Sequence, residues 1–121
     1  MEKLSAKNDP LEKLNKNIDW EIFRSVLNKV FEKEPKGPGG FPPYDYVMIF
    51  KILILQRYYN ISDEQTEYQI LDRLSFMRFL GLSLCDKVPD SNTIWLFREN
   101  LTNNSAIEKL FATFDEQKKT V

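Results

Sequence analysis

The stretch from Tyr44 to Tyr59, YDYVMIFKILILQRYY, most constrains the fold, because it is almost continuously apolar and contains neither glycine nor proline. Its β-branched residues would permit a strand, but its length favours a helix. A helix that is apolar on all sides must be buried. We therefore expect a central helix, covered either by the rest of the domain or in part by a second copy of the chain.

Amphipathic patterns before this stretch predict two more helices. Asp9 and Pro10 form a cap followed by proline, which is typical of the start of a short helix that continues through Leu14. Asp19 is predicted to cap a longer helix. The apolar positions of that helix recur at helical spacing and are Trp20, Phe23, Leu27, Val30 and Phe31.

Capping boxes predict helices after the central stretch. Asn60 is predicted to end the central helix, and Ser62 with Gln65 to open the next one, which continues to about Arg73. Its expected buried side consists of Tyr68, Ile70, Leu71 and Leu74. Ser105 with Glu108 predicts a final helix. The apolar positions of the final helix are Ile107, Leu110, Phe111 and Phe114.

The stretch from Asp72 to Leu101 combines two helices around an irregular turn. Ser75 is predicted to cap the first helix and Gly81 to end it. Pro89 forces an extended approach, and Asp90 then offers a cap for a second helix that runs through Leu101. This is the outline of a helix-turn-helix-like unit within a compact all-α, multi-helix domain.

Prolines and glycines in the segment EPKGPGGFPP, residues 34–43, prevent regular structure. Its glycines do not form a phosphate-binding pattern. The segment separates an N-terminal helical part, residues 1–36, from residues 37–121. With 121 residues and 42% hydrophobic content, the chain suffices for one domain, and we expect the two parts to form one unit.

Composition excludes several function classes. The chain has no histidine, which excludes His-ligated zinc and His general-base catalysis. Its single cysteine, Cys85, cannot form an intramolecular disulfide, so we expect an idle thiol in a cytoplasmic protein. No apolar run reaches the length of a membrane span. The net charge of −1 means that any nucleic-acid binding must depend on a local patch.

A cluster of carboxylates, Asp63, Glu64 and Glu67, follows the predicted cap at Ser62. Such oxygen ligands suit a divalent metal. They equally complement the positive end of the helix dipole, and this is the interpretation that we favour. We therefore predict neither a metal site nor a cofactor.

The predicted helix after Asp90 carries candidate base-reading residues. Ile94, Phe97 and Leu101 form its expected core-facing stripe, with Trp95 and Arg98 at the border. Asn92, Thr93 and Leu96 are expected on the other face. Asparagine can pair with adenine, and apolar side chains can contact the thymine methyl group, from the N-terminal part of a recognition helix. The alternative is an ordinary amphipathic helix with polar caps.

Four cations near this helix are candidate phosphate contacts: Arg73, Arg78, Lys87 and Arg98. Such contacts fix the register of a protein on double-stranded DNA without reading its sequence. The competing interpretation is that the cations pair with nearby acids, namely Asp72, Asp86, Asp90 and Glu99. Surface ion pairs of that kind contribute only about 0 to 1 kcal/mol and would not prevent DNA binding.

Several longer motifs carry a family resemblance. They are PPY at 42–44, LQRYYNISDEQTEYQI at 55–70, DRLSFMRFLGL at 72–82 and VPDSNTIWLFRENL at 88–101. The run from Gly39 to Leu101 that contains them resembles the N-terminal domain of transposases of the insertion-sequence-five family. The segment 1–36 is also similar to the leading part of such proteins.

The resemblance implies an all-helical module that binds the terminal inverted repeats of a mobile element. In the family, a separate catalytic domain with an Asp, Asp, Glu triad holds two metal ions and cuts DNA. The present chain ends at Val121, before the expected first catalytic aspartate, so we predict no catalysis by this chain. Two alternatives stay open: a module that dimerises transposase subunits with little DNA contact, and a truncated-transposase regulator.

Overall fold

The computed structural model describes residues 10–32, 44–83 and 86–119, and in these ranges the chain is a compact all-α domain. The helices are α1 (Pro10–Asn17), α2 (Glu21–Glu32), α3 (Tyr46–Tyr59), α4 (Asp63–Asp72), α5 (Leu74–Leu80), α6 (Ser91–Asn103) and α7 (Ile107–Lys119). The predictions for Asp9, for the glycine- and proline-rich segment and for Cys85 lie outside the described residues. None of the helices in the described ranges is long and apolar enough to cross a membrane.

The apolar stretch forms α3, which is the central helix as predicted. It packs against α2, α4, α5 and α6 within this chain. The Asp45 carboxylate accepts the Val47 N–H at 3.2 Å and so caps the first turn. Asn60 ends the helix in the left-handed conformation at φ 53°. The buried side chains of α3 are Val47, Met48, Ile49, Phe50, Ile52, Leu53, Ile54 and Leu55.

The core is built around aromatic side chains from several helices. Trp20, in the turn before α2, lies with its ring centroid 5.6 Å from that of Phe79 on α5 and 6.0 Å from that of Phe114 on α7. Phe23 and Phe50 complete this group. Such rings bury a large apolar area, and edge-to-face or offset contacts add to the attraction. One aromatic cluster therefore connects α2, α3, α5 and α7.

Lys51 is the one charged residue in the apolar centre of α3, and it is only partly buried. Its Nζ donates to Asn15 Oδ1 at 2.9 Å and to the Phe79 carbonyl at 3.0 Å. The same ammonium lies 4.8 Å from the centre of the Trp20 ring. Burial lowers the pKa of Lys51, against the attraction of Asp45. These contacts join α1 and α5 to the central helix.

Several predicted helix boundaries are confirmed. The Asp19 carboxylate accepts the Glu21 N–H at 3.2 Å at the start of α2. The Ser62 hydroxyl accepts the Gln65 N–H at 3.2 Å and caps α4. Gly81 ends α5 at φ 77°, a left-handed conformation that glycine adopts without strain. Asp90 caps α6, which ends two residues later than predicted.

Two predicted serine caps are wrong. Ser75 lies inside α5, because the chain leaves α4 through an extended Arg73 and the next helix begins directly at Leu74. Ser105 adopts a left-handed conformation at φ 55°, and its N–H bonds the Thr102 carbonyl at 3.0 Å. It therefore belongs to the turn that ends α6 rather than to the start of α7.

The predicted buried side of α4 is also wrong in part. Thr66 and Ile70, four residues apart, face the core. Tyr68, Leu71 and Leu74 are exposed. Both apolar sets fit a helical period, so the sequence does not determine which set is covered by neighbours.

Candidate nucleic-acid interface

The start of α6 is fixed by a capping interaction. Asp90 Oδ1 accepts the Thr93 N–H at 2.8 Å, and this hydrogen bond lowers the pKa of the Asp90 carboxyl group. The negative charge also lies at the positive end of the helix dipole. Pro89, which is buried, keeps the preceding backbone extended. The first turn of α6 is therefore held at a defined position on the domain surface.

One side of α6 is anchored in the core as predicted. Ile94, Phe97 and Leu101 are each fully buried. Phe97 stacks on Phe31 of α2 with ring centroids 4.9 Å apart. The main packing partners of α6 are α2, α3, α4 and α7 rather than α5. Both helices of the predicted helix-turn-helix-like unit exist, but their arrangement as such a unit stays a prediction.

The three candidate base-reading residues do not share one environment. Asn92 is exposed, and Leu96, four residues later, is 38% exposed. Thr93 is only 8% exposed, because it lies four residues before Phe97 and so turns with it toward the core. The outward face of the first two turns is thus formed by Asn92 and Leu96.

Trp95 belongs to the same outward face and was placed only at its border by the sequence pattern. Its side chain is 47% exposed. It lies three residues after Asn92, which is the helical spacing of neighbours on one face. An exposed tryptophan beside an exposed leucine is unusual on a helix whose opposite side fills the core. We name Asn92, Trp95 and Leu96 together the α6 outer face.

Three of the four candidate cations lie along α5 and the connection to α6. Arg73, at the N-cap of α5, is exposed, and its Nε donates to Gln69 Oε1 at 2.7 Å. Arg78, in the last turn of α5, is half-buried. Lys87 is exposed and lines an open cleft of about 490 Å³ beside Gly81 and Tyr44.

Arg98 is held differently from the other cations. Its guanidinium donates to both carboxylate oxygens of Asp63, at 2.6 and 3.0 Å, and to Gln56 Oε1 at 3.1 Å. Burial alone would raise the pKa of Asp63, but hydrogen bonds from Arg98 and Gln56 outweigh burial, and the pKa is lowered. The pair joins α6 to α4. None of the acids considered as partners in the sequence is the one that binds Arg98 here.

The same network accounts for the carboxylate cluster at the start of α4. Gln56 Nε2 donates to Asp63 Oδ1 at 2.7 Å and to Thr66 Oγ1 at 2.9 Å, so Asp63 is bound on two sides. Within the described ranges, no group of three or more potential ligand side chains is arranged to hold a metal ion. The sequence offered no signal for the contact, because Arg98 and Asp63 are separated by 35 residues.

The fold and surface together define an all-helical domain that presents a polar and aromatic helix face beside several cations. The chain belongs to the family described as Transposase domain (DUF772), whose family model matches residues 1–100. No solved structure matches the chain. The family membership gives this domain a transposase-related role.

Proposed function

We propose that this chain is the DNA-recognition module of a transposase of the insertion-sequence-five family and that it reads the terminal inverted repeats of a mobile element. The observation that supports this most is the α6 outer face. Asn92, Trp95 and Leu96 are exposed together on the first turns of a helix whose other side is fixed in the core. Such a face suits entry of a helix N-terminus into the major groove.

Within this proposal the polar and apolar side chains have different tasks. Asn92 has the donor and acceptor needed to pair with adenine, and Leu96 supplies an apolar surface for a thymine methyl group. Thr93 acts through its backbone, by accepting the cap from Asp90. The base-reading set is therefore Asn92, Leu96 and Trp95.

The exposed cations supply phosphate contacts in this proposal. Arg73 and Lys87 are exposed, and Arg78 lies half-buried between them in the chain. Arg98 is a positioning residue, because its guanidinium is bound to Asp63 and so fixes α6 against α4. The chain as a whole carries a net charge of −1, so binding depends on these local cations and should weaken steeply with added salt.

A binding titration with a matched pair of asparagines tests base reading. Asn92→Ala should alter the preference for the inverted-repeat end over scrambled DNA by about 1 to 3 kcal/mol. Asn103→Ala is the control, since Asn103 is exposed on the same helix at its other end. Equal binding of both DNAs by the unmodified chain, or no binding at low salt, would contradict the proposal.

Phosphate contacts are tested separately by the salt dependence of the same titration. Lys87→Ala should weaken binding to both DNAs alike and lower the slope of log K against log salt by about 1. Lys13→Ala is the control, because Lys13 is exposed on α1, away from α5 and α6 in the chain. A change in base preference on Lys87→Ala would assign that residue to reading rather than to positioning.

The alternative function, an assembly module with little DNA contact, is favoured by a different observation. The exposed apolar residues of α4, Tyr68 and Leu71, lie outside the α6 outer face. Exposed apolar groups of this size often mark protein contacts.

A further inference from the structure

The outward side of α4 carries large apolar side chains that no neighbouring helix of this chain covers. Tyr68 is 80% exposed, Leu71 58% and Leu74, at the start of α5, 53%. Tyr68 and Leu71 are three residues apart and so share a helix face. Glu64, four residues before Tyr68, continues the same stripe. We name Glu64, Tyr68, Leu71 and Leu74 the α4 stripe.

Charges are distributed unevenly along this stripe. Glu64 is exposed in the first turn of α4, and half-buried Glu67 follows it. Arg73 comes directly after the last turn. Its Nε is bound to Gln69 Oε1 at 2.7 Å, which keeps the guanidinium folded against α4. The stripe is therefore acidic at its beginning, apolar in its middle and basic at its end.

We propose that a second copy of this chain docks on the α4 stripe, with the two α4 helices antiparallel about a two-fold axis near Gln69. In this arrangement Tyr68 and Leu71 of each copy pack against those of the other. Glu64 of each copy then approaches Arg73 of the other copy. A parallel arrangement would instead place Glu64 against Glu64, which is repulsive, as like charges on neighbouring elements are.

The charge pattern selects this occupant over nucleic acid. Glu64, Glu67 and Asp72 all lie on α4, and their charges would repel the phosphates of DNA. A self-complementary pattern is what a two-fold interface requires, because the same patch must serve both partners. The few apolar side chains predict a weak, reversible dimer, at the small end of specific interfaces.

This inference goes beyond DNA recognition and does not depend on it. The α4 stripe and the α6 outer face consist of different residues on different helices. A dimer formed through α4 leaves both copies of α6 available, so one particle presents two recognition helices.

Sedimentation equilibrium of the whole chain at about 10 to 300 µM tests the proposal, since weak interfaces associate in this range. The unmodified chain should show a monomer–dimer equilibrium, and Leu71→Glu should weaken it at least about tenfold. Leu96→Glu is the matched control, because Leu96 is an exposed leucine on α6. Circular dichroism checks that the variants are folded. A monomer throughout the range, or an unchanged dimer with Leu71→Glu, would overturn the proposal.

A mixing experiment tests the antiparallel arrangement. Glu64→Arg and Arg73→Glu should each weaken self-association, because each places like charges together in the dimer. An equimolar mixture of the two variants should associate, since every Arg then meets a Glu of the other copy. A mixture that associates no better than the separate variants would overturn the antiparallel arrangement. Loss of DNA binding in Leu96→Glu with dimerisation intact would separate the two surfaces.

Discussion

Arg98 illustrates how a single contact changes the role of a residue. Sequence reasoning placed it with the phosphate-binding cations, whereas its guanidinium is bound by Asp63 at 2.6 Å. Both side chains are largely shielded, with 33% and 21% of their surfaces exposed. A charge left without its partner in such a place is destabilising. The pair therefore contributes to the position of α6 as well as to stability.

Asp63→Asn should lower the free energy of unfolding near pH 7 by about 1 to 3 kcal/mol, because it removes charge-assisted hydrogen bonds from Arg98. The folded pKa of Asp63 lies below its usual 3.8. Its contribution is therefore complete above about pH 5 and is lost as the pH falls through the folded pKa. Urea titrations at several pH values should show a smaller loss of stability on acidification in the variant.

The control for this prediction is Asp115→Asn. Asp115 is 47% exposed and bonds Arg57 at 3.2 Å, so its pair is screened by solvent and its loss should change stability by less than about 1 kcal/mol. Equal effects of the two substitutions would show that the Asp63–Arg98 pair has no special role.

At the scale of elements, the two helices α4 and α5 are separated only by Arg73, and α5 ends abruptly at Gly81. The Gly81 N–H bonds the Arg78 carbonyl at 3.2 Å, and the Leu82 N–H bonds that of Met77 at 2.9 Å. These bonds satisfy carbonyls that the end of the helix leaves free. The turn directs the chain from α5 toward α6.

Gly81→Ala should destabilise the domain by about 1 to 2 kcal/mol, the cost of a left-handed conformation for a residue with Cβ. A Cβ built at Gly81 meets no atom within 4 Å, so strain of the backbone is the only expected cause. Gly81→Asn should cost less, because asparagine tolerates this conformation, as it does at Asn60. Thermal unfolding of the two variants gives the comparison; equal losses would contradict the conformational explanation.

At the scale of the whole molecule, Trp20 connects more helices than any local pattern suggests. Its ring contacts Phe23, Phe50, Phe79 and Phe114, and its Nε1 donates to the Asn15 carbonyl at 3.2 Å. The hydrogen bond satisfies the one polar atom of a side chain that is only 9% exposed. Loss of this ring should therefore weaken the packing of several helices at once.

Trp20→Ala should reduce the free energy of unfolding by about 3 to 5 kcal/mol, and Trp20→Phe by about 1 to 2 kcal/mol. Trp95→Ala is the control, since Trp95 is 47% exposed and should change stability by less than about 1 kcal/mol. Urea unfolding followed by circular dichroism measures all three variants. A similar cost for the alanine substitution at both tryptophans would contradict the central role of Trp20.

Local chemistry in the sequence was sufficient for much of the fold. The all-α class and the central position of α3 follow from an apolar run without breakers. The caps at Asp19, Ser62 and Asp90 depend on side chains two or three residues from the N–H groups they accept. Where a cap prediction failed, at Ser75 and Ser105, the course of the chain between helices determined the outcome instead.

The candidate site was predictable to a smaller extent. The sequence identified α6, its buried stripe and the exposure of Asn92 and Leu96, because these follow from helical periodicity. It did not determine that Thr93 is buried or that Trp95 is half-exposed. Both lie near the border of the stripe, where neighbouring helices decide which side chains are covered.

The sequence by itself determined the helical class, most helix ends and the resemblance to transposases, because these depend on residues close together in the chain. Only the tertiary structure decided that Asp63 binds Arg98 and that α4 buries Ile70 while exposing Tyr68 and Leu71. The physical reason is that burial and ion pairing depend on which helices meet. Contacts across 35 residues leave no periodic signal in the sequence.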